Sequence, residues 1–128
     1  MSLSRYKLHP SIAVSDMERA RDFYEGKLGL VAAHAGADGS RIYEAAGEAS
    51  LHVYPSSAHA GKSTATLATW YVDDIDQVAD ELATVGVELV RYDEFDNDDR
   101  GITVRAGGGR IAWFQDPDGN TFAIEADA

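Results

Sequence analysis

Residues 10–30, PSIAVSDMERARDFYEGKLGL, run from a short extended segment into an amphipathic helix, and their reading decides the fold. The β-branched residues among Ile12, Ala13 and Val14 favour a buried strand, which Ser15 and Asp16 interrupt. Ser15 followed three residues later by Glu18 has the form of a capping box, in which two side chains satisfy amides left unpaired by the first helical turn. Met17, Ala20, Tyr24 and Leu28 then recur at steps of three and four on one face, widened by Phe23. Glu18, Arg19, Asp22 and Glu25 face water. Gly29 closes the helix, because glycine takes the left-handed conformation at low cost.

The device returns once. Trp70, Tyr71 and Val72 form a strand, Asp73 and Asp74 a cap, and Ile75, Val78, Ala79 and Leu82 an apolar face stopped by Gly86. Val14, Asp16, Met17 and Ala20 correspond to Val72, Asp74, Ile75 and Val78 at an offset of 58, whereas Gly29 corresponds to Gly86 at 57. A one-residue slip inside the helix accounts for the difference, and the pattern reads as an internal duplication.

With 128 residues the chain has the size of one ordinary domain. The absence of cysteine excludes disulfides, thiolate metal sites and cysteine nucleophiles. MSLSRYKLHP has no signal-like apolar run, and no stretch of eighteen apolar residues occurs, so a cytoplasmic protein without membrane partners is expected. The net charge of −11 is unevenly placed. Up to Thr64, seven Lys or Arg balance seven Asp or Glu; from Ala65 onward, four face fifteen. Such a half repels phosphate backbones, which argues against nucleic acid and leaves room for a cationic ligand.

Beyond the first helix, 31–34, 41–45 and 49–54 read as strands, giving β-α-β-β-β. PSSAHAGKSTAT, 55–66, has linker composition. The second half repeats the order: strand 67–72, helix 74–85, strand 87–92, the acidic loop DEFDNDDR, and β segments at 102–105, 110–114 and 121–125. In Asp116-Pro117-Asp118-Gly119, Pro pre-sets φ and Gly supplies a positive φ, so a tight turn joins the last two strands.

These two units, the VSDMERARDFYEGKLGL helix and the WFQDPDGN turn together resemble the vicinal oxygen chelate superfamily, which includes glyoxalase I, bleomycin-resistance proteins, fosfomycin-modifying enzymes and extradiol dioxygenases. The resemblance implies an α+β fold in which two tandem β-α-β-β-β modules form a cup-shaped open barrel. One domain, 1–128, would comprise module one (8–55), a linker (56–66) and module two (67–126). Homodimerisation is a further implication, and the cup can be built within one chain or between two.

In metal-dependent members, ligands sit at the start of the first strand and in the last strand of each module, and the ion keeps open positions for substrate. Counting from the helix caps and the turn places His9, Leu51, Leu67 and Ala123 there, with His52 a one-residue alternative to Leu51. One imidazole with two leucines and an alanine does not hold a divalent ion, so neither a metal nor another cofactor is expected. Glu125, two residues from Ala123, is the one acid on its face.

Alternation places His9, Ser11 and Ala13 on one face, opposite Ile12 and Val14, and Leu67, Thr69 and Tyr71 opposite Trp70 and Val72. With Tyr43, Leu51, Val53, Trp113, Ala123 and Glu125, these residues describe an apolar small-molecule site, or a filled barrel interior. Trp70 and Trp113 read first as packing residues. His9 is a pocket base or donor, or simply a strand-end histidine; His34, His52 and His59 have no metal spacing. DEFDNDDR lacks calcium-loop spacing and reads as a solvated loop in which Phe95 can cover the cavity mouth. Gly107–Gly109 reads as a turn. The favoured function is metal-free binding of a small aromatic or cationic molecule, such as an antibiotic. The alternative is a lyase, isomerase or dioxygenase on a small oxygenated substrate, with or without a metal, with His9 or Glu125 as base in the metal-free case.

Overall fold

The computed structural model describes residues 2–128, which divide into two compact units, one ending at Gly61 and the other beginning at Lys62. The chain has the glyoxalase-like α+β architecture of two tandem modules, each with its own four-stranded mixed sheet.

In the first unit, β1 (Ser11–Val14) is followed by α1 (Met17–Arg21), a π-helical continuation (Asp22–Lys27), β2 (Val31–Ala35), β3 (Arg41–Glu44) and β4 (Ser50–Pro55). The sheet order is β1-β4-β3-β2, with β1 parallel to β4 and the other pairs antiparallel. The strand begins at Ser11, so His9 precedes it by two residues. The expected Ser15–Glu18 capping box is replaced by Asp16, whose carboxylate accepts from the Glu18 and Arg19 amides, while Ser15 Oγ accepts from Arg19 Nη2. Aspartate wins because Asp16 is the last extended residue and its short side chain reaches both amides.

The slip inferred inside the helix has a structural counterpart. Gly29 lies thirteen residues past Asp16, and Gly86 twelve past Asp74. The first helix accommodates its longer span by widening, with the Leu28 amide donating to the Phe23 carbonyl at 2.9 Å, an i→i−5 bond. Gly29 then reverses the chain at φ 70°.

Register fixes which side chains are covered. Ile12 pairs with Val53, Tyr43 with Leu51 and Arg41 with Val53, so Ile12, Val14, Tyr43, Leu51 and Val53 share one face. Tyr24 stacks on Tyr43 from the helix side, with ring centroids 5.9 Å apart, and both rings are fully buried. Tyr43 Oη donates to Glu25 at 2.9 Å. Burial, and then this bond to the carboxylate, push the phenol well above its ordinary range, so Tyr43 remains a donor at neutral pH.

The second unit comprises β5 (Thr66–Tyr71), α2 (Ile75–Thr84), β6 (Thr103–Val104), β7 (Arg110–Gln115) and β8 (Thr121–Ala126), in sheet order β5-β8-β7-β6. Asp74 caps α2 by accepting from the Gln77 amide, and Ile75, Ala79 and Leu82 are its buried face. The covered side of the sheet carries Phe114 and Phe122, against which Trp70 packs with centroids 5.9 and 5.5 Å away. The expected strand at 87–92 reduces to one bridge, Val90 to Trp113. Its first amide is spent elsewhere: Val87 N–H donates back to the Leu82 carbonyl at 2.8 Å, finishing α2. Between β7 and β8, Asp116 accepts from the Asp118 and Asn120 amides and from Asn120 Nδ2, which makes the turn a closed polar unit.

Candidate functional site

Across the uncovered face of the second sheet, Cα pairing aligns Thr69, Ala123 and Trp113 in one row and Tyr71, Glu125, Ile111 and Thr103 in the next. A cavity of about 620 Å³ opens over these rows. Of the residues expected from sequence, Thr69, Tyr71, Trp113 and Glu125 line it, and Ala123 lies buried between Thr69 and Trp113 in the same row. Leu67 does not line it. The β5–β8 register breaks between Thr66 and Ala68, so strict alternation fails at Leu67 and Thr66 takes the place on the cavity wall.

One wall is aromatic. Phe95 stacks on Trp113 with ring centroids 5.1 Å apart and planes 18° apart, and Tyr92 meets Trp113 edge-on at 5.1 Å. Phe95 comes from the acidic loop, as expected of a residue covering the cavity mouth, and remains 44% exposed. The loop is held by its own polar groups. Asn97 Nδ2 donates to the Tyr92 and Phe95 carbonyls, and Thr103 Oγ1 donates to Asn97 Oδ1. Asp98 accepts from the amides of Arg100, Gly101 and Ile102 at 2.9, 3.0 and 2.9 Å. Burial raises the Asp98 carboxyl, but these amides outweigh it and leave the group below its ordinary range. The Asp98 carboxylate of DEFDNDDR is therefore committed to the backbone.

The opposite wall is polar. Glu125, with a side chain 15% exposed, forms an ion pair with Arg105, whose side chain is 54% exposed. Sequence reasoning named Glu125 and missed Arg105. The available signal was scarcity, since only four cations follow Ala65. The other three are committed: Arg91 donates to the Asp98 and Asp99 carbonyls, Arg100 pairs with Asp76 and Asp80, and Arg110 pairs with Asp76 at 2.8 Å. The hydrogen bond from Arg110 holds Asp76 below the usual carboxylate range.

In the first unit, Tyr43, Leu51 and Val53 were expected on the cup face, and the register corrects this: they lie on the covered face. Cα pairing instead aligns Ser11, His52, Ile42 and His34 across the uncovered face. His52 accompanies Ser11 as Ala123 accompanies Thr69, so the true counterpart of Ala123 is His52 and the expected Leu51–Ala123 correspondence is one residue out. Both inter-strand turns span five residues, 45–49 and 116–120, but Gly47 and Gly119 occupy different places within them. His9 and His52 meet edge-on with centroids 5.6 Å apart, His52 stacks on Tyr54, and Ser11 Oγ lies 3.3 Å from His52 Nδ1.

These donors do not fit a divalent metal. Leu67 and Ala123 offer none, and Glu125 already carries a guanidinium. Among the described residues, no group of three or more His, Asp or Glu side chains comes together as a ligand set. Nor is any described helix long and apolar enough to cross a membrane.

Comparison with known proteins agrees with the fold. A glyoxalase/bleomycin resistance protein from Catenulispora acidiphila DSM 44928 superposes with a TM-score of 0.74 at 23% identity, covering 95% of this chain and 98% of that one. TnmS3, an antibiotic binding protein from Streptomyces sp. CB03234, superposes at 0.72 with 26% identity over 100% of this chain and 99% of its own. The fosfomycin resistance protein FosX from Listeria monocytogenes gives 0.72 at 14% identity, covering 94% and 92%. No curated protein matches the chain. The model of the Glyoxalase/Bleomycin resistance protein/Dioxygenase superfamily matches residues 8–124. With that match over nearly its whole length, and with the two β-α-β-β-β modules just described, the chain belongs to this superfamily.

Proposed function

We propose that the protein binds a small molecule with a flat aromatic part, without a metal, and acts by sequestering it. The observation that carries this reading is the Phe95–Trp113 stack along the cavity of the second unit. Two parallel rings at a cavity mouth present a π surface to a planar ligand, and hydroxyls of Thr66, Thr69 and Thr103 supply the few polar contacts that orient it. The likeness to an antibiotic binding protein at 26% identity supports an antibiotic as the ligand class. The duplicated modules and a homodimer belong to the same proposal; light scattering should return twice the 13.8 kDa chain mass.

The test uses a Trp70→Phe chain, in which Trp113 is the remaining tryptophan. Titration with bleomycin and with planar polycyclic antibiotics should quench its emission and raise the melting temperature, by about 2.7 kcal/mol of added stability at a hundredfold excess over Kd. No shift with any of them rejects the reading. Phe95→Ala should weaken binding by about 1–2 kcal/mol, read from the same titration.

A second reading rests on the first unit, where Ser11, His9 and His52 place two imidazoles and a hydroxyl together. A metal-free isomerase or lyase would use one imidazole as base on a small oxygenated substrate. Elemental analysis separates both from metal-dependent chemistry: stoichiometric Ni, Zn, Mn or Fe in purified protein would contradict them.

A further inference from the structure

We infer that the Arg105–Glu125 ion pair selects the ligand by charge, with a cationic group on an aromatic ligand taking the place of Arg105 on the Glu125 carboxylate. This rests on the aromatic-binding reading above and adds the second half of the ligand's chemistry.

The two partners are held differently. Glu125 belongs to β8, with backbone pairing on both sides to Tyr71 and Ile111, and its Oε1 is shielded from solvent. Arg105 begins a surface turn closed by its own amide donating to Gly109 at 2.6 Å and by Gly108 donating back at 3.0 Å. Gly107 and Gly108 within that turn have φ of 95° and 97°, and the Arg105 side chain is 54% exposed. The carboxylate is thus built into the sheet, and the guanidinium is supplied from the rim.

A largely buried carboxylate needs a cation beside it, so losing Arg105 without replacement is costly. A neutral ligand leaves the pair in place. An anionic ligand has to draw Arg105 away and strand Glu125, in a half of the chain where Asp and Glu outnumber Lys and Arg fifteen to four. A cationic ligand meets neither obstacle: it supplies the positive charge that the Glu125 carboxylate needs, and Arg105 returns to water, where half of its side chain already lies. Phe95 and Trp113 line the same cavity, so one ligand can use both features. Arg91, Arg100 and Arg110 hold other groups and offer Glu125 no second partner.

Three ring systems of similar size distinguish the outcomes: 9-aminoacridine as cation, acridine at pH 8 as the neutral ring, and anthracene-9-carboxylate as anion. Each is titrated into the full chain, Glu125→Gln and Arg105→Gln, with folding checked by circular dichroism and melting temperature. The expected result is a preference for the cation over the neutral ring on the order of tenfold. That preference should fall to near one in Glu125→Gln. It should rise severalfold in Arg105→Gln, where the internal competitor is gone. Equal binding of all three, or preference for the anion, overturns the charge inference and leaves the aromatic reading intact. Binding of none overturns both. Should Glu125→Gln fail to fold, Arg105→Gln decides: a cation affinity that does not rise overturns the inference.

Discussion

At the scale of single residues, Asp98 gives its carboxylate to three amides of the loop that carries Phe95, and the loop's order depends on the group being charged. Its folded pKa is depressed, so this contribution is fully present above the unfolded value of about 3.9 and is lost as pH falls through the lower folded value. Amide exchange at Gly101 and Ile102 should therefore lose protection below about pH 4, and Asp98→Asn should show weaker protection with no such dependence. Asp116 is the corresponding residue between β7 and β8. Asp116→Ala removes the acceptor of the Asp118 and Asn120 amides and of Asn120 Nδ2 at a residue only 5% exposed, and should cost about 2–3 kcal/mol in denaturant unfolding. Residue identities at this scale were partly legible. Thr69, Tyr71 and Glu125 follow from alternation along β5 and β8, whereas the face that Trp113 takes on β7 does not, since a large aromatic suits packing as well as a cavity wall. Leu67 was named in place of Thr66 because a register break interrupts that alternation, and Arg105 escaped because no local pattern ties a rim arginine to a carboxylate twenty residues later.

At the scale of elements, the first helix is the informative case. Its apolar face was readable from steps of three and four, and its one-residue excess from the shift between the two glycine stops. The form the excess takes, a π turn, depends on which carbonyl each amide chooses, and composition does not announce that. Gly26 sits within this turn with open space where a Cβ would stand. Gly26→Ala should raise stability by about 0.5–1 kcal/mol, whereas Gly29→Ala, forced to φ 70°, should lower it by about 1 kcal/mol. Thermal melts of the two variants should move in opposite directions. The strand expected at 87–92 shows the converse limit. Its apolar residues are there, but the last turn of α2 claims the Val87 amide and a single bridge remains. On the first sheet, a one-residue difference in where glycine falls within two equal turns exchanged Leu51 for His52 and reversed the assigned faces of a whole strand.

At the scale of the whole molecule, the order β-α-β-β-β was legible twice over because caps and turns punctuate both halves, and so was the family. The aromatic wall was not, since nothing along the chain reports that Phe95 and Trp113 stack. The charge was legible outright. A net −11 with an isoelectric point near 4.5 opposes non-specific aggregation at neutral pH by like-charge repulsion. Turbidity across pH 3–8 should peak near 4.5, where that repulsion vanishes, and added salt should matter most on the neutral side.

The anchoring of the 93–102 loop reaches into time as well as geometry. Because Asn97, Asp98 and Arg91 already hold the loop around Phe95 together, a ligand of the kind proposed would not have to wait for the loop to organise. Arrival rates should then vary little among ligands, and differences in affinity should reside in how long each one stays. Loosening the loop through Asp98→Asn should slow capture itself, a change that stopped-flow mixing would separate from faster escape.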